Sequence, residues 1–454
     1  MINRRRFMQS LAIASAMPMN SVAQDAGNTL KRDPSGVIDL PEGWRYTIIS
    51  QTGEEMDDGL IVPGAQDGMA AFAGNDGKII LICNHELRPY PTMLSALGPT
   101  ADRLGETRSR PLYDFGADKT PGLGGTTTIH YDPASRSKTH MHMSLLGTEI
   151  NCAGGPTPWR SWLSCEECFT DPGTAFERGR VVHREKKHGY IFEVAADDMQ
   201  AADPEPLTQM GRFEHEAAAI DPATGLIYLT EDRHRSLLYR FIPNVPGRLR
   251  EGGRLQAMGI KDQPGFDTRN WSNPNGMPVD QWYETTWVDI EEPDTVENDL
   301  RFQGAEKGAA LISRGEGICF ADGEIMLTAT IGGPERLGQI FNYVPSPAEG
   351  TDEEKQKPGK IRLFAESTAD SILRHADNLT MSPWGDLIVC EDTAEHCGLV
   401  GVRPDGQQYA IADNPYTPSE LAGICFSPDG NVMFVNIQVR GLTLAITGPW
   451  SSYS

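Results

Sequence analysis

One phrase recurs along the 454 residues and limits the fold more than any other feature. It consists of a short apolar run, a turn built on Pro, Asp or Gly, a second apolar run, and then an acid or amide. Residues 217–232 read AAAIDPATGLIYLTED, residues 378–392 NLTMSPWGDLIVCED, residues 422–436 AGICFSPDGNVMFVN and residues 317–328 GICFADGEIMLT. Looser copies occupy 67–86 and 151–166. Runs of four to six apolar residues bounded by turn formers read as strands, and helical periodicity sustained over a dozen residues is scarce. A hairpin cannot bury its apolar face alone, so repeated hairpins must pack against one another. The expected fold is therefore all-β, a six-bladed β-propeller with irregular loop insertions at 87–124 and 243–310. The charged run 351–360, TDEEKQKPGK, is expected to be a solvated loop.

What flanks the hairpins is more informative than the hairpins themselves. Asp67, Asn151, Glu216, Glu316, Asp377 with Asn378, and Glu420 precede the first strands. Glu86, Glu166, Glu231 with Asp232, Thr330, Glu391 with Asp392, and Asn436 follow the second. In an antiparallel pair the start of one strand and the end of the next lie at the same end. If the first strands line an axis, both sets crowd one mouth of a channel. Facing carboxylates a few ångström apart repel by several kcal/mol even at an effective dielectric of about 20, so cations are expected among them. Oxygen-rich ligation favours Ca²⁺, Mg²⁺ or Mn²⁺, and a thiolate or imidazole among the oxygens admits iron or zinc. Any single acid at a strand end is better explained by turn preference; recurrence in step with the repeat carries the metal reading.

Other chemistries are disfavoured. His85-Glu86 and His215-Glu216 repeat a His-Glu pair, but neither extends to HExxH. No serine sits in GxSxG, and Gly122-Leu123-Gly124-Gly125 lacks both GxGxxG and a P-loop lysine. Cys165 and Cys168 form a single CxxC without the second pair that a zinc ribbon needs. Arg314, two residues before Glu316, is placed either to clamp a phosphate oxygen or to neutralise an acidic rim.

Acids outnumber bases by 63 to 40, which argues against nucleic acid and anionic lipid as partners. Arg4-Arg5-Arg6-Phe7, a mildly apolar stretch and small residues at Ser21-Val22-Ala23 read as a twin-arginine-type export signal over 1–23. Residues 24–454 would then form one propeller domain in the periplasm or outside the cell. No other run is long and apolar enough to span a membrane.

Residues 151–167, NCAGGPTPWRSWLSCEE, resemble the PhoX-type alkaline phosphatases. So do 211–232, the RGEG of 314–317, and the ending 434–450. The resemblance covers about 40–450. It implies a secreted phosphomonoesterase of broad specificity on a β-propeller, with an iron and calcium centre in the channel. Carried over by motif, Cys165 is the iron-ligating thiolate, Glu316 a metal ligand and Arg314 the phosphate-binding arginine. Glu86, Glu216, Glu231 and Asp377 match acidic ligand positions, with Glu166 and Glu391 added from the flanking set, and His215 is assigned to substrate. Cys168 departs from the expected pattern, because a disulfide to Cys165 would abolish iron binding. The chain is also shorter than many members. Small phosphate esters, the twin-arginine export machinery and a monomeric state complete the expectation. The competing readings are a propeller lactonase or organophosphate hydrolase using calcium alone, and a non-catalytic periplasmic binding propeller.

Overall fold

The structure, a computed structural model, describes residues 29–90, 93–107, 109–273, 276–394 and 397–449. The export signal expected at 1–23 lies outside the described residues. Among the described residues the regular structure is almost entirely β, with one short α-helix at Leu300–Glu306. No described helix is long and apolar enough to cross a membrane.

Each repeat identified in the sequence is a hairpin whose first strand runs along a common channel. These first strands are Gln66–Ala73, Asn151–Pro156, His215–Ile220, Gly315–Ala321, Ala376–Met381 and Leu421–Phe426. Together they line a cavity of about 330 Å³ walled largely by small or apolar side chains such as Ala153, Ala217, Ile318 and Leu379. Glycines let them come close. A Cβ on Gly155 would lie 2.0 Å from the Ala218 carbonyl oxygen, and one on Gly317 2.6 Å from that of Asp377.

The arrangement is propeller-like, but the expectation of six separate blades is corrected. Three four-stranded sheets and one three-stranded sheet are blade-like. The strands expected to form two further blades join edge to edge through Trp282–Asp289 and Lys360–Glu366 into one nine-stranded sheet. The first strands at its two ends, His215–Ile220 and Gly315–Ala321, lie side by side, so it nearly closes on itself. The fused edge comes from the insertion at 243–310, which supplies Trp282–Asp289, a strand that the repeat did not reveal.

Apolar side chains of neighbouring sheets interdigitate. Leu163, Ile191, Leu229, Tyr239, Phe241 and Leu255 form one such layer, each at most 1% exposed. One further sheet is closed from the far end of the chain, since Arg45–Gln51 pairs antiparallel with Leu442–Thr447.

Candidate active site

Four of the hairpins are entered through a non-glycine residue in the left-handed region: Ala65 (φ 51°), Ile150 (φ 50°), Arg314 (φ 45°) and His375 (φ 50°). Each is strained by on the order of 1 kcal/mol and is held by its surroundings. The carbonyl of each accepts the N–H of the residue just beyond the second strand. Glu86 donates to Ala65 at 2.9 Å, Glu167 to Ile150 at 2.8 Å, Thr330 to Arg314 at 3.0 Å and Asp392 to His375 at 3.0 Å. The Asp232 N–H makes the corresponding bond to Glu214.

Immediately inside, every first strand carries a register shift. A bulge leaves one residue out of the ladder and re-aims its side chain. The residues released in this way are Asp67, Cys152, Glu216, Glu316 and Asp377, with Gly423 at the sixth position. Two sets thus meet at one mouth: the bulge residues and the residues that follow the second strands.

They meet closely. Ligand atoms of Cys152, Glu167 and Glu216 lie within 4.8 Å of one another, as do those of Asp67, Glu86 and Glu420, and those of Glu216, Glu316 and Asp377. The Cys152 Sγ lies 2.9 Å from Glu216 Oε2. The Gln438 amide donates to both Asp67 and Glu86 at 2.8 Å. Burial and then the neighbouring carboxylates push Asp67, Glu167, Glu216, Glu316 and Glu420 well above the usual carboxyl range. The same causes carry Asp377 up to about 7. Burial and the Glu216 charge hold the Cys152 thiol well above its ordinary value. An interior with this much suppressed ionisation fits cations: a thiol and carboxylates are the donors that bind them, and they must lose protons to do so.

Arg314 is the cation held among these acids. Its Nε and Nη2 donate to the two Asp232 oxygens at 2.8 and 2.9 Å, Nη2 lies 2.8 Å from Glu316 Oε1, and Nη1 is 3.9 Å from Asp392. Burial alone would lower its pKa, but Glu316 and Asp232 raise it further, so it stays charged. Beside it opens a cavity of about 540 Å³ bordered by Arg88, Arg184, Arg233, His234, Glu167 and Asp232.

Of the residues singled out in the sequence, the structure brings Glu86, Glu216, Glu316, Asp377 and Arg314 together at the mouth. It places five other expected site residues elsewhere. Cys165 is fully buried among Leu163, Ile191 and Leu229, is paired across the ladder with Ile191, and belongs to none of the three ligand groups. Cys152 stands where the thiol was expected. Glu166 accepts hydrogen bonds from His188 Nδ1 at 2.7 Å and from the N–H groups of Glu149, Gly189 and Tyr190. Glu231 accepts from the Tyr239 hydroxyl and Arg301. Glu391 accepts from the backbone N–H of Arg374 and Gly398. These three acids pin loops, while their successors Glu167, Asp232 and Asp392 occupy the mouth. His215 is fully buried against Phe213, its Nε2 bonded to the Gly211 carbonyl, and burial lowers its pKa to about 3. Cys168 and Cys165 are both free thiols, so the feared disulfide is absent.

The pin at Glu166 has a measurable consequence. Burial would lower the pKa of His188, but Glu166, Asp114 and Glu149 outweigh it and raise the imidazole to about 10. A raised folded-state pKa stabilises fully below the unfolded value near 6.5 and is lost as pH rises through about 10. Chemical denaturation is therefore expected to show falling stability between pH 6.5 and 10. His188→Ala should cost about 3–5 kcal/mol near neutrality and flatten that slope.

The family described as alkaline phosphatase PhoX matches residues 26–441. Among solved structures, Pseudomonas fluorescens PhoX in complex with vanadate, a transition state analogue, overlays with a TM-score of 0.67 at 18% identity. The match covers 91% of this chain and 96% of that one. A gluconolactonase from Xanthomonas campestris overlays with a TM-score of 0.39 at 13% identity, covering 93% of this chain and all of that one. No curated protein matches the chain.

Proposed function

The chain belongs to the PhoX family of alkaline phosphatases, and from that premise we propose that it is an exported, metal-dependent phosphomonoesterase of broad specificity that works at the channel mouth. One observation carries the reading: a thiol, Cys152, sits inside a ring of carboxylates next to a bidentately held arginine, Arg314. A calcium-only lactonase needs no thiol there.

Cys152, Glu167 and Glu216 would hold a transition metal, for which we propose iron. The oxygen sets Asp67, Glu86, Glu420 and Glu216, Glu316, Asp377 would hold calcium. When bound, such cations supply Lewis acidity toward phosphate oxygens and neutralise the charge of the dianion.

The protein's own residues do the rest. Arg88 and Arg314 border the cavity with Arg184 and Arg233, which are paired with Glu149, Glu177 and Glu214, so the positive potential an anion needs there would come largely from the bound cations. Asp232 grips Arg314 on its Nε and Nη2 edge, which fixes the plane of the guanidinium. A fixed guanidinium stabilises equatorial oxygens of the transferring phosphoryl without reorganising. The export signal expected at 1–23 places the enzyme in the periplasm or outside the cell, and we propose that it acts there as a monomer.

The test is elemental analysis of protein exported from its native host, paired with an aryl-phosphate assay before and after chelation. Iron together with calcium, and loss of nearly all turnover on chelation that returns with the two metals, is the expected result. Calcium alone with lactone hydrolysis, or phosphate hydrolysis indifferent to chelation, would overturn the proposal.

A further inference from the structure

Three histidines outside the channel mouth share one face of the sheet that begins with Gln66–Ala73. His140 and His142 stand two residues apart on the strand Ser137–Thr148, so their side chains point to the same side. His130, on Gly124–Asp132, is the direct cross-strand partner of His140. Ring centres are 5.3 Å apart for His140 and His142, 5.6 Å for His130 and His140, and 6.5 Å for His130 and His142.

We propose that His130, His140 and His142 form a second metal site, for a divalent transition ion such as Zn²⁺. Nitrogen ligands about 2.0–2.1 Å from a tetrahedral ion place imidazole centres about 5 Å apart. Two of the three spacings are already near that figure. The third closes if His130 turns toward its neighbours, and His130 borders an open cavity that gives it room.

The hydrogen bonding supports this placement independently. His142 is 2% exposed, and its ring has no side-chain partner, only a weak contact with the Asp198 backbone carbonyl. The buried Nε2 of His130 is likewise unpartnered. A buried polar atom left alone is costly, and a metal would relieve that cost at His130 Nε2 and replace a poor contact at His142. His140 has the complementary feature: its Nδ1 lies 3.3 Å from Asp57 Oδ2. A carboxylate on one ring nitrogen orients the other toward a metal and raises its basicity. Three imidazoles with one carboxylate behind them make a borderline donor set, which suits zinc, copper or nickel rather than calcium.

The experiment uses full-length protein isolated with its channel metals in place, titrated with Co²⁺ as a spectroscopic stand-in for Zn²⁺ and then with Zn²⁺ itself. Uptake of one ion with the visible bands of low-coordinate Co²⁺ and no sulfur-to-metal charge transfer is the expected result, because that spectrum excludes the Cys152 cluster. His140→Gln, at a half-exposed position, is expected to weaken uptake by about 100-fold, and His130→Ala with His140→Gln to abolish it. Aryl-phosphate turnover should stay unchanged in both. Zn²⁺ should raise the thermal midpoint of the wild type and not of the double variant. No uptake by the wild type, equal uptake by the variants, or a thiolate charge-transfer band would overturn the proposal.

Discussion

Arg314→Ala is expected to lower turnover of an aryl phosphate by about 10²- to 10³-fold while the protein remains folded, the scale seen when one preorganised donor to a developing anion is removed. Arg314 also balances Asp232, Glu316 and Asp392, so charge and shape must be separated. Arg314→Lys separates them. A lysine keeps the positive charge but not the planar fork that Asp232 holds. If the fork positions phosphate, the lysine variant should recover little of the lost kcat. If only charge matters, it should recover most of it. Steady-state kinetics on both variants decides, and near-wild-type activity in the alanine variant would remove Arg314 from the mechanism.

The second large effect concerns which thiol matters. Cys152→Ser is expected to lose the transition metal and to cut turnover by about 10²-fold or more, since even outer-shell partners of a metal cost 10–100-fold when mutated. Cys165→Ser should retain metal and activity and lose only stability, about 1–3 kcal/mol, for placing a hydroxyl among Leu163, Ile191 and Leu229. Metal content and kcat measured side by side give the answer. The reverse pattern would reinstate Cys165 as the ligand.

The hairpins, their common orientation and the gathering of acids at one mouth were legible because strand length, turn chemistry and repeat are local properties of the chain. Register was not. Successive side chains of a strand face opposite ways, so a displacement of one residue exchanges mouth for interior. Glu166, Glu231 and Glu391 pair across their ladders with Asn151, His215 and Ala376, whereas Glu167, Asp232 and Asp392 come one residue later and face the opening. Aligning the second strands on His85, which pairs with Gln66, would have placed Glu86 with the successors rather than with the pins. The same alignment puts Cys152 level with Asp67, Glu216, Glu316 and Asp377. The motif resemblance placed the thiolate at Cys165 instead, because a motif carries no register. The fused nine-stranded sheet was hidden for a different reason: edge pairing between Trp282–Asp289 and Lys360–Glu366 joins segments far apart in sequence, and neither belongs to the repeated phrase.

The sheet in which Arg45–Gln51 lies beside Leu442–Thr447 sets the timetable of maturation. It can be completed only after the other blades, which all lie between its two partners in the sequence, have been made. The ring therefore shuts last.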